Sequence, residues 1–573
     1  MLESPKSIWF CKKPSPDKTS NIANQLFISP ILAQVLLNRG LEDINSITKF
    51  LKPDTKDLSS PFNFIDMHKV VNRILEARDK KQTVLIHGDY DVDGITSTTI
   101  LYLLFKQMDI NVDVYLPDRF KDGYGLNINT LKSLNINKYN LIITADCGIT
   151  AHEQAQWINE QGVELIIIDH HKLDETMPKS AAIIHPDITK EKNFNQLCAA
   201  SLALKVVLAL TEIDNHAKFK ANKIMPDLIM LATFGIICDV MPLIEENRII
   251  VNTGLKIING ITKPGLSEII KIVTNHSSLT AGKIGFQIGP RINAGGRMAK
   301  TRLAFDLFTT DNPVMATKIL QELETQNNAR QAIEKEITKL ALEQSEQIIQ
   351  NKDAYSIVAY GDDWHEGVIG IVASRLIDAH YLPSIVIAFN NGMGKGSCRS
   401  IDGCDIHKAL SKCSQFLETF GGHSAAAGLS IKRENINVFI KQFNLECQKQ
   451  LSKRPQPKQV IDIACLPELI DENLMHNLKK LEPFGYKNPK PTFGLKNIVV
   501  AGIPKIIGKD DKHLMFFIKG NGRSFKAIGW NMAQYMPLVS SNKNFSIIFT
   551  PILNSFNGQT SIEFEIKDIR LEN

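Results

Sequence analysis

Val84–Thr98 reads VLIHGDYDVDGITST, an apolar run followed by Asp89, Asp91 and Asp93 on alternate residues, then Gly94 and a hydroxyl-rich helix start. Three carboxylates this close in a packed domain repel one another by several kcal/mol at low effective dielectric. The cluster persists at low cost only with cations among the carboxylates. The turn lies at the carboxyl end of a strand, where open α/β sheets bind their ligands. The stretch therefore points to metal-dependent chemistry on an anionic substrate.

The rest of the chain bounds that reading. At 573 residues and 43% hydrophobic, the chain is globular and too long for one core, so two to four domains are expected. A net charge of +5 announces no polybasic tail, and any nucleic-acid surface must come from local placement of charge. The N-terminus lacks the uninterrupted apolar core of a signal peptide. The long apolar stretch Leu228–Ile244 is broken by Asp239 and Pro242, which argues against a membrane span. Nine cysteines with no CxxC pair indicate neither a zinc knuckle nor a disulfide framework. A cytoplasmic, reducing location without membrane attachment is expected, and the protein is read as a monomer.

From about residue 68 short β-rich runs alternate with helical patterns. Strands are expected at Thr83–His87, Asp113–Leu116, Leu141–Ala145, Leu165–Ile168 and Ala182–Ile184, and helices at Ile95–Met108, Ile128–Leu134, Ala151–Gln161 and Ala199–Thr211. This rhythm implies βαβ units and a largely parallel sheet. Pro226–Cys238 reads as a buried helix opened by proline. Pro313–Gln350 keeps near-helical apolar spacing and, straight, would span roughly 57 Å, which suggests a connector between two lobes. Residues 355–430 mix strands with the helix Gly370–Ala379, and Arg454–Lys458 looks like a linker. Short alternating strands beyond it suggest a small β-barrel.

Three further segments repeat the opening logic. Leu141–Ile143 leads to Asp146, Leu165–Ile168 leads to Asp169-His170-His171, and Asp239 follows the apolar helix. If the strands are neighbours, these ends converge on one crevice. Asp with His suits Mn²⁺, carboxylates with water suit Mg²⁺, and the absence of cysteine from the set argues against structural zinc.

In this order, His87-Gly-Asp-Tyr-Asp-Val-Asp93, Asp146-Cys-Gly, Asp169-His-His and Asp239 resemble the four successive motifs of the DHH phosphoesterases. Gly289–Arg297, Trp364–Arg375, Gly396–Ser400 and Gly421–His423 are similar to the further blocks of one branch, the RecJ-type 5′→3′ single-strand DNA exonucleases. The resemblance implies an α/β multidomain protein. Its parts would be an extension at 1–67 packing on the catalytic domain, a DHH domain at 68–312 with a mostly parallel sheet, a connector helix at 313–350, a DHHA1-type α/β domain at 351–453 and an OB-like barrel at 456–573.

It further implies that Asp91, Asp93, Asp146, His170 and Asp239 hold two divalent cations, Mn²⁺ or Mg²⁺, with Asp146 bridging. His87 and Asp89 are further candidate ligands. His171 would position or protonate rather than ligate. Arg119, Ser397 and Arg399 would receive a 5′-terminal phosphate, Arg291 would touch the scissile phosphate, and His423 would face the cleft. Two metals ~4 Å apart suit phosphodiester hydrolysis, and guanidinium forks suit phosphate. The products would be 5′-mononucleotides, released from single-stranded DNA during repair and recombination, with single-strand-binding protein and a RecQ-like helicase as partners.

Residues 456–573 carry 15 Lys and Arg against 11 Asp and Glu, with Phe484, Tyr486, Phe516, Phe525 and Trp530 interleaved, which fits a strand-binding barrel. The alternatives are a shorter-substrate relative that cleaves oligoribonucleotides or cyclic dinucleotides, and a non-catalytic DNA-binding scaffold.

Overall fold

The structure is a computed structural model, and it describes residues 7–572 apart from 120, 191–195, 276, 299, 521, 542 and 557–558. The chain divides into two compact units, one made of residues 9–293, 301–320 and 460–573, the other of 1–8, 294–300 and 321–459.

The larger unit contains a five-stranded sheet in the spatial order Asn111–Tyr115, Thr83–His87, Leu141–Ala145, Glu164–Ile168, Ala182–Ile184. Every neighbouring pair is parallel. In chain order the strands run second, first, third, fourth, fifth, so the order reverses between Thr83–His87 and Leu141–Ala145. That is the switch point at which a doubly wound sheet opens a crevice. The strands are almost continuously buried, as a sheet covered on both faces requires.

The Val92–Gln107 helix begins three residues earlier than its apolar pattern suggests, because Asp91 caps it by accepting the Gly94 N–H at 3.0 Å. Its buried hydroxyls return hydrogen bonds to the preceding turn, Thr96 to Val92 O at 2.7 Å and Thr99 to Ile95 O at 2.6 Å. A polar sequence can therefore sit inside. The helix packs against Ala199–Ile213 and Met225–Cys238.

The same unit holds a seven-stranded sheet built from residues 463–571. Alternate residues such as Leu514, Phe516 and Ile518, or Phe545, Ile547 and Phe549, turn into one core. Ile22, Leu32, Val35, Leu36, Ile47 and Phe50 of the N-terminal helices share that core. Residues 22–50 thus share the core of the C-terminal sheet, and Phe50 also meets the catalytic domain, where its carbonyl accepts from Arg248 Nε at 2.8 Å. The end of the N-terminal segment touches the catalytic sheet, where Ile65 donates to Ile188 O and Asp66 accepts from Ile183.

In the smaller unit the strands Thr419–Gly422, Ala426–Lys432, Met393–Arg399, Ser384–Asn390 and Ile357–Asp362 lie in that spatial order. Only the last pair is parallel. Pro313–Ile349 is one helix of 37 residues, as its spacing predicts, and its residues from Gln321 onward belong to this unit. Among the described residues, no single helix is long and apolar enough to cross a membrane.

Candidate metal centre

Each acidic segment leaves the sheet at the carboxyl end of a strand. Asp89 and Asp91 follow the first strand, Asp146 follows Leu141–Ala145, and Asp169-His170-His171 follow Glu164–Ile168. Asp146 adopts a left-handed backbone, φ 68°. Strain of this kind in a non-glycine residue is concentrated at functional sites. Asp239 closes the C-terminus of the Met225–Cys238 helix.

Three groups of donor atoms lie within 4.8 Å of one another: Asp89, Asp91 and Asp146; Asp93, His170 and Asp239; Asp146, His170 and His171. His170 Nε2 is 3.1 Å from Asp146 and 3.6 Å from both Asp93 and Asp239. Asp146 belongs to two groups, so the donors form overlapping nests rather than one ring.

Electrostatics show what the cluster lacks. Burial, with the charge of neighbouring carboxylates, drives Asp89 and Asp146 well above the usual carboxylate range and raises Asp91. The same causes push Asp239 up to about 8. Asp89 Oδ1 is buried without a hydrogen-bond partner, a costly arrangement for an acceptor. Burial lowers His170, keeping its imidazole neutral and its lone pair available. An oxygen-rich donor set with a neutral imidazole and an orphaned carboxylate oxygen fits Mn²⁺ or Mg²⁺.

Two residues with no role in the sequence reading organise the site. Asp169 accepts from the backbone N–H of Ile149, His170 and His171 at 3.0, 2.7 and 3.1 Å. It also lies 2.7 Å from His171 Nδ1. Burial works against the His171 cation, but Asp169 and the nearby Asp239 and Asp91 outweigh it and push His171 up to about 9. Tyr124 places its hydroxyl 3.1 Å from His171 Nδ1 and donates to the Asp146 carbonyl at 3.2 Å. Its position between Gly123 and Gly125, both at positive φ, was the available signal.

The remaining candidates are placed more variously. Asp93 sits in the first helical turn, where its two oxygens accept the Ala199 and Ala200 N–H groups at 2.7 and 2.9 Å. His87 is buried outside all three donor groups, with Nδ1 3.8 Å from Cys147 Sγ and Nε2 lacking a hydrogen-bond partner. Burial lowers it to about 4. Arg119 is exposed, 5.6 Å from the Tyr90 ring centroid, and its charge acts on Asp89. Arg291 donates to Gln287 O at 2.8 Å.

In the other unit, Ser397 and Arg399 lie on the central strand Met393–Arg399. The reversal is at Asn391-Gly392, both at positive φ, and Gly394 and Gly396 let Phe389 and Leu429 close over the strand. Arg399 donates to Ser397 Oγ at 3.2 Å. Gly370 leaves room for both, since a Cβ there would stand 3.0 Å from Ser397 Oγ and 3.1 Å from Arg399 Nη2. His423 is exposed beside its hairpin.

Three family profiles match the chain: "DHH family, N-terminal domain" over residues 83–236, "DHHA1 domain" over 353–449 and "RecJ OB domain" over 461–568. The single-stranded-DNA-specific exonuclease RecJ of Bacillus subtilis is 33% identical, the match covering 99% of this chain and 71% of the relative. This chain belongs to the RecJ family. The Escherichia coli RecJ is 27% identical over 96% of this chain and 97% of its own length. Among solved structures, RecJ of Thermus thermophilus in complex with Mn²⁺ superposes with a TM-score of 0.83 at 25% identity, covering 99% of this chain and 80% of that one. A structure of the same protein in complex with Mg²⁺ gives 0.78. The oxygen and imidazole donors of this RecJ-family chain fit a divalent cation, and the two similar structures hold Mn²⁺ and Mg²⁺ respectively.

Proposed function

We propose that this chain is a divalent-metal-dependent exonuclease that degrades single-stranded DNA from its 5′ end to 5′-mononucleotides in DNA repair and recombination. The observation that carries the reading is Asp146, which is shared by two donor groups and flanked by Asp89, Asp91 and His170. In this reading Asp91, Asp93, Asp146, His170 and Asp239 would hold two ions, with Asp89 as a further ligand and Asp146 common to two of the donor groups. When bound, divalent cations supply Lewis acidity, bringing a water towards ionisation at neutral pH and neutralising charge on attacking and leaving oxygens.

The chain's own residues do the rest. Asp169 holds His171 by its Nδ1 side, and Nε2, 3.2 Å from the Tyr124 hydroxyl, delivers a proton to the departing 3′-oxygen. Tyr124 braces that ring. Arg291 contacts the scissile phosphate. Ser397 and Arg399, neighbours on one strand of the smaller unit, offer charge-assisted hydrogen bonds to a 5′-terminal phosphate, and Arg119 is a further phosphate-binding residue. The single-strand substrate also engages the C-terminal domain, where Tyr486 and Trp530 are exposed while Phe516 and Phe525 belong to the core. Single-strand-binding protein and a RecQ-like helicase are the proposed partners of a monomeric, cytoplasmic enzyme.

The test uses the purified chain with DNA end-labelled at either terminus, with Mn²⁺, Mg²⁺ or EDTA, and with short RNA as competitor. Expected are mononucleotides from the 5′ end with either ion, none with EDTA, and none from Asp146→Ala, which still binds single strands. Faster cleavage of RNA dinucleotides, or undiminished turnover by Asp146→Ala, would overturn the reading.

A further inference from the structure

Phe286 is 85% exposed, and the backbone around it is unusual. Residues Ile284–Ile288 form a π-helical turn that runs straight into the Gly289–Arg297 helix. Such turns are rare and concentrate at functional sites. The wide turn keeps Ile284 and Ile288 buried and leaves Phe286 and Gln287 outside.

The turn is seated on the last residues of the helix that ends at Asp239. A Cβ at Gly285 would stand 3.4 Å from Ile237 Cγ2, and one at Gly289 would stand 2.7 Å from Cys238 Sγ. The two glycines that bracket Phe286 thus fit against the two residues preceding a metal-centre carboxylate. Just past that carboxylate, Val240 is 63% exposed and holds a left-handed φ of 54°, a strained conformation for a β-branched side chain. On the other side, Arg291 folds its guanidinium back to the Gln287 carbonyl at 2.8 Å, one residue from Phe286.

A cation beside an exposed aromatic ring is the pairing that single-stranded nucleic acid uses, phosphate on the cation and base on the ring. The ring is left open to solvent among the described residues, one position along the chain from the carbonyl that holds Arg291 and between the two glycines seated against Ile237 and Cys238. We infer that Phe286 is the stacking platform for one base near the reacting end of the strand, set beside Arg291 so that a phosphate and its base are held together. The inference rests on the exonuclease reading above and assigns to it a base-contacting residue that the metal and phosphate sites do not supply.

The test compares wild type, Phe286→Ala and Phe286→Trp on 5′-phosphorylated single-stranded DNA with Mn²⁺, using intact strands and strands with one abasic residue scanned through the first four positions. Phe286→Ala should raise KM on the order of tenfold with an unchanged melting temperature, and Phe286→Trp should restore it. At one position the abasic residue should raise the wild-type KM to the level of the alanine variant and have no further effect on that variant. An unchanged KM for Phe286→Ala, or equal sensitivity of wild type and variant to every abasic position, would overturn the platform while leaving the exonuclease intact. A wild-type chain without metal-dependent cleavage of single-stranded DNA would instead overturn the reading beneath it.

Discussion

At the residue scale, the metal centre was written in local patterns. An apolar strand ending in an acid is a short-range signal, so Asp89, Asp91, Asp146 and His170 were readable one by one. Their convergence required only that the strands be neighbours. What was not readable was second-order: Asp169, given no role by the sequence, acts as the anchor of His171, while His87 lies outside the donor groups beside Cys147. Asp169→Asn should therefore leave Mn²⁺ affinity, measured by calorimetry, largely intact while lowering kcat at least tenfold, as loss of a positioned proton donor does. In the other unit, Arg399→Ala removes a charge-assisted bond worth about 1.5–3 kcal/mol. The rate ratio between 5′-phosphate and 5′-hydroxyl substrates should fall about 10- to 100-fold, and an unchanged ratio would exclude a phosphate role.

At the scale of elements, helices and parallel strands announced themselves by period, and their observed bounds shift by only a few residues. The misses have physical causes. The reversal before Ser397 and Arg399 is a two-residue Asn391-Gly392 turn, a pattern that favours tight hairpins and could have been read. The π-helical turn has no counterpart in a 3.6-residue rhythm and left no trace. Helix contacts also constrain the site more tightly than composition suggests. A Cβ on Gly235 would meet Ala200 Cβ at 2.5 Å and Asp93 Oδ1 at 2.6 Å. Gly235→Ala is expected to cost about 1–3 kcal/mol by overpacking and to displace Asp93, so that the melting temperature falls and the Mn²⁺ concentration for half-maximal activity rises.

At the scale of the larger unit, two consequences follow. In the absence of ions, burial and neighbouring acids hold Asp239 up to about 8 against a usual 3.8, and Asp89, Asp91 and Asp146 are also raised. Between those two pH values the folded chain binds protons that the unfolded chain releases, so stability falls as pH rises through the window. Cations displace those protons. Melting curves in EDTA should therefore decline from about pH 4 to pH 8, and Mn²⁺ should flatten the decline and raise the transition most at the alkaline end. A slope unaffected by Mn²⁺ would argue against ions among these carboxylates.

The second consequence concerns Arg248, buried on the Glu245–Lys256 helix with all five of its N–H groups directed at carbonyls. They reach Phe50 at 2.8 Å, Leu481 at 3.0 Å, Pro483 at 3.4 Å, Lys480 at 3.2 Å and Glu482 at 2.7 Å, and the guanidinium stacks 3.9 Å from the Phe50 ring centroid. Arg248→Ala should cost about 3 kcal/mol or more, since buried acceptors lose their donors. Thermal or urea denaturation measures that loss. No local pattern in the sequence reveals this clamp or the core shared by residues 22–50 with the C-terminal sheet, because the partners stand hundreds of positions apart.

That shared core dictates how the catalytic region can be excised. Deleting the C-terminal sheet alone would strand Leu32, Val35, Leu36 and Ile47 in water and invite clumping. A fragment trimmed at both ends, beginning past Phe50 and stopping near Gln459, sheds the orphaned helices together with their cover and is the version that should stay in solution.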